Sequence, residues 1–211
     1  MTSQVTVAAF DFDETLTRRD TVVPFLRRLT GGRSLALGLL ARSHRLAPVA
    51  LRRNRDALRA MATDQVFRGR SIAEVEAHAR VHGDEIFAVG LRPDTAARLA
   101  WHRDAGHRVV IVSASYEQYV HVVGEHLGGD AVLATRLEVE SGRCTGRLLG
   151  PNCRGAEKIA RLHGWLESEG LTRHEVTLWA YGDSSGDREL LAAADHPHWV
   201  RAPLDSVSPA V

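Results

Sequence analysis

Two aspartates, Asp11 and Asp13, close a short apolar run of Val5, Val7, Ala8, Ala9 and Phe10, and Thr15 and Thr17 follow them. The run reads as a buried strand. Positions two apart in an extended chain point the same way, so both carboxylates fall on one side and Phe12 on the other. Two like charges that close need a cation, and a hard divalent ion such as Mg2+ suits oxygen ligands. Further along, Ser113 ends a second apolar run, and a third runs into Gly182, Asp183, Ser184, Ser185, Gly186 and Asp187. Of the 27 basic residues all but one are arginine, the exception being Lys158. A composition that uses arginine for every general positive charge keeps a lysine where the broad guanidinium will not fit.

Carboxylates, a metal ion, a lysine and a hydroxyl are the parts of a phosphoryl-transfer site. An aspartate that attacks a phosphate monoester gives an aspartyl phosphate, which divides hydrolysis into two easier displacements. The cation offsets repulsion between the two anions, while Lys158, Ser113 and backbone N–H groups hold the equatorial oxygens. Asp13 is then the group to protonate the departing alcohol and later deprotonate the water. Any one of these residues alone is more often the polar cap of a strand end; their recurrence at three strand ends carries the reading.

Bringing those ends together requires a parallel sheet with helical crossovers, whose strands finish on one edge. Arg108 to Val112 and Val176 to Tyr181 read as the second and third site-bearing strands. Ala131 to Val139 reads as another, with a turn at Ser141 and Gly142 and a hairpin arm to Leu149, and His198 to Val200 as the last. Helices are expected from Val22 to Leu29, capped by Asp20 or Thr21 and ended by Gly31, then from Ser34 to Leu46 and from Pro48 to about Met61. Others follow from Ile72 to His82 behind Ser71, Pro93 to Arg103, Tyr116 to Leu127, Gly155 to Ser168 with Lys158 in its first turn, and after Asp187 to Ala194. No strand signal occurs in residues 18–92. The expected fold is therefore α/β, a Rossmann-like doubly wound parallel sheet, with residues 1–17 and 93–211 as catalytic core and an all-helical cap of roughly 75 residues at 18–92 inserted after the first strand.

The DFDETLT run from Asp11 to Thr17 with its preceding strand, then Ser113, the single lysine and GDSSGD, resembles the haloacid dehalogenase superfamily of phosphohydrolases, in its phosphoserine-phosphatase-like branch. The four motifs occur in that family's order and span nearly the whole chain. The resemblance implies Asp11 as nucleophile and Asp13 as general acid and base. It implies phosphate ligands at Thr15, Ser113, Ala114 and Lys158. Mg2+ would be held by Asp11, Asp183 and the Asp13 backbone carbonyl, with Asp187 supporting the metal or Lys158. Dehalogenases of the superfamily lack the second acid, because a departing halide needs no proton, so Asp13 favours phosphate. Phosphoserine phosphatases carry an acidic residue nine after the nucleophile that faces the substrate amine, and Asp20 has that spacing. Motif two reads Ser113-Ala114 where serine and glycine are usual, which leaves phosphoserine one candidate among the phosphomonoesters of small metabolites. Arg68 and Arg70, between two cap helices, are the arginines expected to select an anionic substrate.

Lys and Arg together number 27 against 26 Asp and Glu, so net charge asks for no nucleic-acid partner and no acidic tail. The charge is uneven all the same, since residues 18–92 hold 15 arginines and 7 acids. With only Phe25, Phe67 and Phe87 as aromatic residues among those arginines, a nucleic-acid-binding cap is disfavoured. Cys144 and Cys153 show no metal-ligand spacing and no disulfide framework, and the start of the chain has no charged leader or apolar signal segment, so a reducing cytoplasm is the expected setting. The longest apolar stretch, Leu35 to Leu51, is interrupted by Arg42, His44, Arg45 and Pro48, too charged to span a bilayer. Its Leu35, Leu37, Leu39, Leu40 and Leu46 with Arg42 and Arg45 keep open a lipid-headgroup phosphatase that lies on a membrane surface. A receiver-like phospho-accepting domain is the alternative from another class, opposed by Asp13 and by the insertion. The residues leave the oligomeric state open.

Overall fold

Strand β1 (Val5–Phe10) sits at the centre of a five-stranded sheet in a computed structural model that describes residues 5–31, 55–201 and 204. The order is β3-β2-β1-β6-β7, with β2 (Arg108–Tyr116), β3 (Ala131–Thr135), β6 (Val176–Gly182) and β7 (His196–Trp199), and every pairing is parallel. Successive strands first step from β1 to β2 and β3, then cross back to the other flank of β1. The chain therefore changes direction beside β1, where open α/β sheets form their ligand crevice.

Alternation along the central strands divides the core in two. Ala8 and Phe10 join Val109, Ile111, Trp179 and Tyr181 on one face. Val7 and Ala9 join Val110, Val112, Leu178 and Ala180 on the other, under Leu162 and Leu166 of the helix α6 (Ala156–Ser168). Small alanines at the centre admit helices on both faces of β1, as a fully covered parallel sheet requires.

After β1 come α1 (Val22–Thr30), α2 (Arg55–Phe67) and α3 (Ile72–Glu85), the last running into a π turn at Ile86–Gly90. The expected helix from Ser34 to Leu46 and the start of the one from Pro48 lie outside the described residues, as do the leucines of the membrane-surface alternative. The chain leaves and rejoins the sheet at adjacent points, where Arg18 N donates to Gly90 O and Arg92 N to Leu16 O, both at 2.9 Å. Then follow α4 (Pro93–Asp104) and α5 (Glu117–Leu127). The inserted helices share one apolar cluster with the sheet face: Phe25, Phe67, Val75 and Ala79 pack with Tyr116, Tyr119 and Val123. Close approach is part of this, because a Cβ on Gly83 of α3 would lie 2.7 Å from the Val122 Cβ of α5.

Several expectations change in the folded chain. β2 runs on to Tyr116, with a shift in its pairing to β3 between Ser113 and Tyr116. The expected strand from Ala131 to Val139 divides: β3 stops at Thr135, and β4 (Leu137–Glu140) pairs instead with β5 (Arg143–Leu148) in a separate antiparallel hairpin. The hairpin tip adds backbone bonds to the insertion, from Gly69 N to Cys144 O at 2.8 Å, Cys144 N to Arg70 O at 2.9 Å and Ile72 N to Gly142 O at 3.0 Å. Strand pairing thus reaches a segment that reads as purely helical, since a bridge is made by a partner distant in sequence. The last helix, α7 (Arg188–Ala192), is shorter than expected, and β7 begins two residues earlier. Among the described residues no helix is long and apolar enough to cross a membrane.

His102 of α4 is fully buried, with Nδ1 2.8 Å from His107 Nδ1 and Nε2 2.9 Å from the Tyr181 hydroxyl. Burial, then the neighbouring His107, Arg98 and His198, pushes its pKa down from 6.5 to about 3. The folded protein keeps this imidazole neutral while the unfolded chain does not. Its contribution to stability is therefore complete above about pH 6.5 and is lost progressively as pH falls toward 3. The melting temperature is expected to fall on acidification through that window, and His102→Asn should flatten the fall while lowering the melting temperature at neutral pH. Thermal melts of both proteins across the window check this.

Candidate active site

The turn that ends β1 is tight. Leu16 N and Thr17 N both donate to Phe12 O at 2.9 Å, and Glu14 takes a left-handed φ of 57°. Phe12 is fully buried, while Asp11, Asp13 and Glu14 border a cleft of about 250 Å³ at the carboxyl edge of the sheet. Asp20, Ser113, Ala114, Lys158, Asp183 and Asp187 border the same cleft. Thr15 lies just beneath, its hydroxyl 3.2 Å from Asp183 Oδ1 and 3.4 Å from Asp11 Oδ2, so it ties two carboxylates together.

Lys158 is 2% exposed and donates to Asp11 Oδ1 and Asp187 Oδ1, each at 2.5 Å. Burial works against its charge, but Asp11 and Asp187 outweigh it and hold the pKa above the ordinary lysine value. The first turn of α6 is aimed here because Gly155 N donates to Gly186 O at 2.9 Å. Asp187 is packed against β6, where a Cβ on Gly182 would sit 2.5 Å from the Asp187 Cβ. Its second oxygen accepts from Ser184 N and from the Ser184 hydroxyl, both at 2.9 Å.

One ammonium serves three clustered carboxylates. Asp11, Asp183 and Asp187 each place an oxygen within 4.8 Å of the others. Burial, with Asp187 and Asp13 adding to it against Lys158, raises the Asp11 pKa to about 7. Burial and Asp187 likewise raise that of Asp183. This excess of negative oxygen ligands fits a hard divalent cation such as Mg2+.

Asp13 has a different environment. Its Oδ1 accepts from Thr21 N at 2.8 Å and from the Thr21 hydroxyl at 2.6 Å, and its Oδ2 from the Ser115 hydroxyl. Burial raises its pKa, opposed by the Ser115 and Thr21 bonds. The two aspartates therefore share the cleft but not their partners: one is salt-bridged, the other held by neutral donors.

Thr21, read in the sequence as a possible helix cap, spends its hydroxyl on Asp13, while Asp20 Oδ2 accepts from Val23 N at 3.2 Å and does the capping. Arg68 and Arg70 do not border the cleft. Arg68 pairs with Asp64 and lines a neighbouring groove with Asp56 and Arg147, and Arg70 binds Glu74 at 2.6 Å and Val66 O at 2.7 Å. The cleft instead takes Arg59 from α2 and Asn152, Arg154, Ser184 and Gly186 from loops. Ser115 was within reach of sequence reading as a second hydroxyl two after Ser113. Nothing in the sequence separated Arg59 from the other arginines of the insertion.

Residues 8–192 match the family model of haloacid dehalogenase-like hydrolases. The chain belongs to this family. It is 39% identical over 191 residues to protein CicA of Caulobacter vibrioides, covering 90% of this chain and 83% of that protein. A phosphoserine phosphatase of Mycobacterium tuberculosis is 29% identical, over 88% of this chain and 61% of its own length. Among solved structures, a protein of unknown function from Bordetella pertussis Tohama I superposes with a TM-score of 0.77 at 22% identity, over 90% of this chain and 87% of that one. A substrate-bound phosphoserine phosphatase superposes at 0.62 and 20% identity, over 91% and 84%. At these identities the two structures show a shared fold. The hydrolase is a phosphatase of the family, which removes the receiver-like alternative.

Removing Lys158 would leave two buried carboxylates without their counter-ion. Lys158→Met is expected to cost about 3–5 kcal/mol in chelator, and added Mg2+ should recover part of that loss. Urea unfolding of both proteins with and without Mg2+ measures it.

Proposed function

We propose that this chain is a cytoplasmic, Mg2+-dependent phosphomonoesterase in which Asp11 becomes phosphorylated by a small metabolite. Residues 1–17 and 93–211 form its catalytic unit, with 18–92 as the cap. The observation that carries the reading is the contrast in partners between Asp11, salt-bridged to Lys158, and Asp13, held by the neutral donors of Thr21 and Ser115. That contrast divides nucleophile from proton carrier. A cation held by Asp11, Asp183, Asp187 and the Asp13 backbone carbonyl would supply charge against repulsion between carboxylate and phosphate.

Asp11 attacks phosphorus as the alkoxide departs, and Asp13 gives that oxygen its proton. Asp13 then takes a proton from the water that opens the acyl phosphate, so it returns to its starting state. Ser113, Lys158 and the Ala114 turn hold the phosphoryl oxygens.

The cleft also favours an anionic leaving group. Arg59 lies with its guanidinium 5.0 Å from the Tyr116 ring centre, and its buried Nη1 has no hydrogen-bond partner among the described residues. A buried donor without a partner is costly, and a substrate carboxylate would satisfy it. Asp20 on the same cleft would meet an amine. Phosphoserine fits this description, as do other phosphomonoesters with a carboxylate near the ester.

Phosphate release over a metabolite panel, with and without Mg2+, tests the class. Carboxylate-bearing alkyl phosphates should exceed neutral sugar phosphates, with activity absent in chelator and in Asp11→Asn. Asp13→Asn is expected to slow alkyl phosphates about 100-fold or more while sparing a nitrophenyl phosphate, whose leaving group needs no proton. Equal loss on both would leave Asp13 a structural role only. Arg59→Met should raise KM about tenfold or more for carboxylate-bearing substrates and leave the nitrophenyl ester nearly unchanged. Steady-state kinetics on the two substrate types decides it.

A further inference from the structure

The Ser113 hydroxyl is held from behind by a chain of bonds that reaches helix α2. Between Ser113 and Tyr116 the β2–β3 register shifts, and Ala114 and Ser115 have no partners in that ladder. The Ala114 carbonyl instead accepts from the Thr135 hydroxyl at 3.0 Å. The same peptide plane carries Ser115 N, which donates to Ser113 Oγ at 3.0 Å. Because that plane is rigid, fixing its carbonyl fixes its N–H. With one Ser113 lone pair occupied this way, the hydroxyl proton remains to be donated elsewhere.

Thr135 is fully buried and has a second claim on it. Its oxygen accepts from Cys153 N at 3.1 Å and lies 2.8 Å from Asn152 Oδ1. The Asn152 amide is oriented from the other end, since its Nδ2 donates to Asp56 Oδ1 on α2 at 2.7 Å. A carboxylate only accepts, so this contact turns the amide oxygen toward Thr135. One hydroxyl proton thus faces two acceptors, Ala114 O and Asn152 Oδ1.

We propose that Thr135 is a positioning residue for the Ser113 hydroxyl, and that the Asp56–Asn152 contact from helix α2 competes for its single proton. The function it serves rests on the reading of Ser113 as a phosphate ligand. If Asp56 lets go, the amide is free to turn its NH2 toward Thr135 and leave the proton wholly to Ala114. The inserted helices would then act on the phosphate turn through hydrogen bonding, without touching phosphate.

The test uses the full chain and inorganic phosphate with Mg2+, by calorimetry, alongside hydrogen exchange of the Ser115 amide in the phosphate-free protein. Thr135→Val should weaken phosphate binding about tenfold and speed Ser115 exchange by a similar factor, for one lost hydrogen bond. Thr135→Ser keeps the hydroxyl and should restore both. Asp56→Ala should bind phosphate at least as tightly as the unaltered chain, and this effect should vanish when combined with Thr135→Val. Destabilisation of the fold alone would move Asp56→Ala and Thr135→Val in the same direction, and that result overturns the proposal, as does failure of the serine variant. If Lys158→Met leaves phosphate binding unchanged, the phosphate reading of the cleft fails. The exchange rates then still decide whether Thr135 fixes the turn.

Discussion

A single ammonium group, Lys158 Nζ, lies 2.5 Å from both Asp11 and Asp187, and most of the site follows from the need to put it there. A buried charge is tolerated only when paired and hydrogen-bonded. The pairing requires α6 to begin at the carboxyl edge of the sheet, the loop after β6 to bring Asp187 back against Gly182, and Ser184 to saturate the far oxygen of Asp187. A guanidinium is broader than an ammonium and would not fit between two carboxylates at this spacing. That accounts for a chain with 27 basic residues and one lysine.

The second constraint is that Asp11 and Asp13, two residues apart on one cleft, meet different partners. Backbone geometry does the separating. The left-handed Glu14 and the bonds back to Phe12 O turn the chain immediately after β1, so Asp13 meets Thr21 and Ser115 while Asp11 stays with Lys158. Burial raises the Asp13 pKa against the pull of its neutral donors, a different local field from that of its neighbour beside Lys158.

The inserted helices and the sheet are bound more closely than an added lid would require. Phe25 and Phe67 pack on Tyr116 and Tyr119, and the β4–β5 hairpin joins the segment between α2 and α3 by backbone bonds. Tyr116 follows directly on the Ser113–Ser115 segment, so its ring joins the apolar core to the cleft and lies beneath Arg59. Core packing and the cleft lining are coupled through one side chain.

The sequence by itself determined the parallel sheet, the helical insertion after β1, and the residues at its three site-bearing strand ends. These are local signals: an apolar run ending in Asp11 and Asp13, a lone lysine in a first turn, and GDSSGD after a buried strand. It did not determine which arginine enters the cleft. Arg59, Arg68 and Arg70 are equivalent in composition, and only the packing of α2 against Tyr116 puts Arg59 on the cleft while Arg68 and Arg70, past the end of that helix, pair with Asp64 and Glu74. Nor did it show the division at Thr135. An apolar run specifies extended backbone but not the partner strand, so tertiary structure alone decided that β3 ends there, that Thr135 turns to Ala114 and Asn152, and that β4 leaves the sheet for β5. Propensity acts over a few residues, whereas these choices depend on atoms contributed from distant parts of the chain.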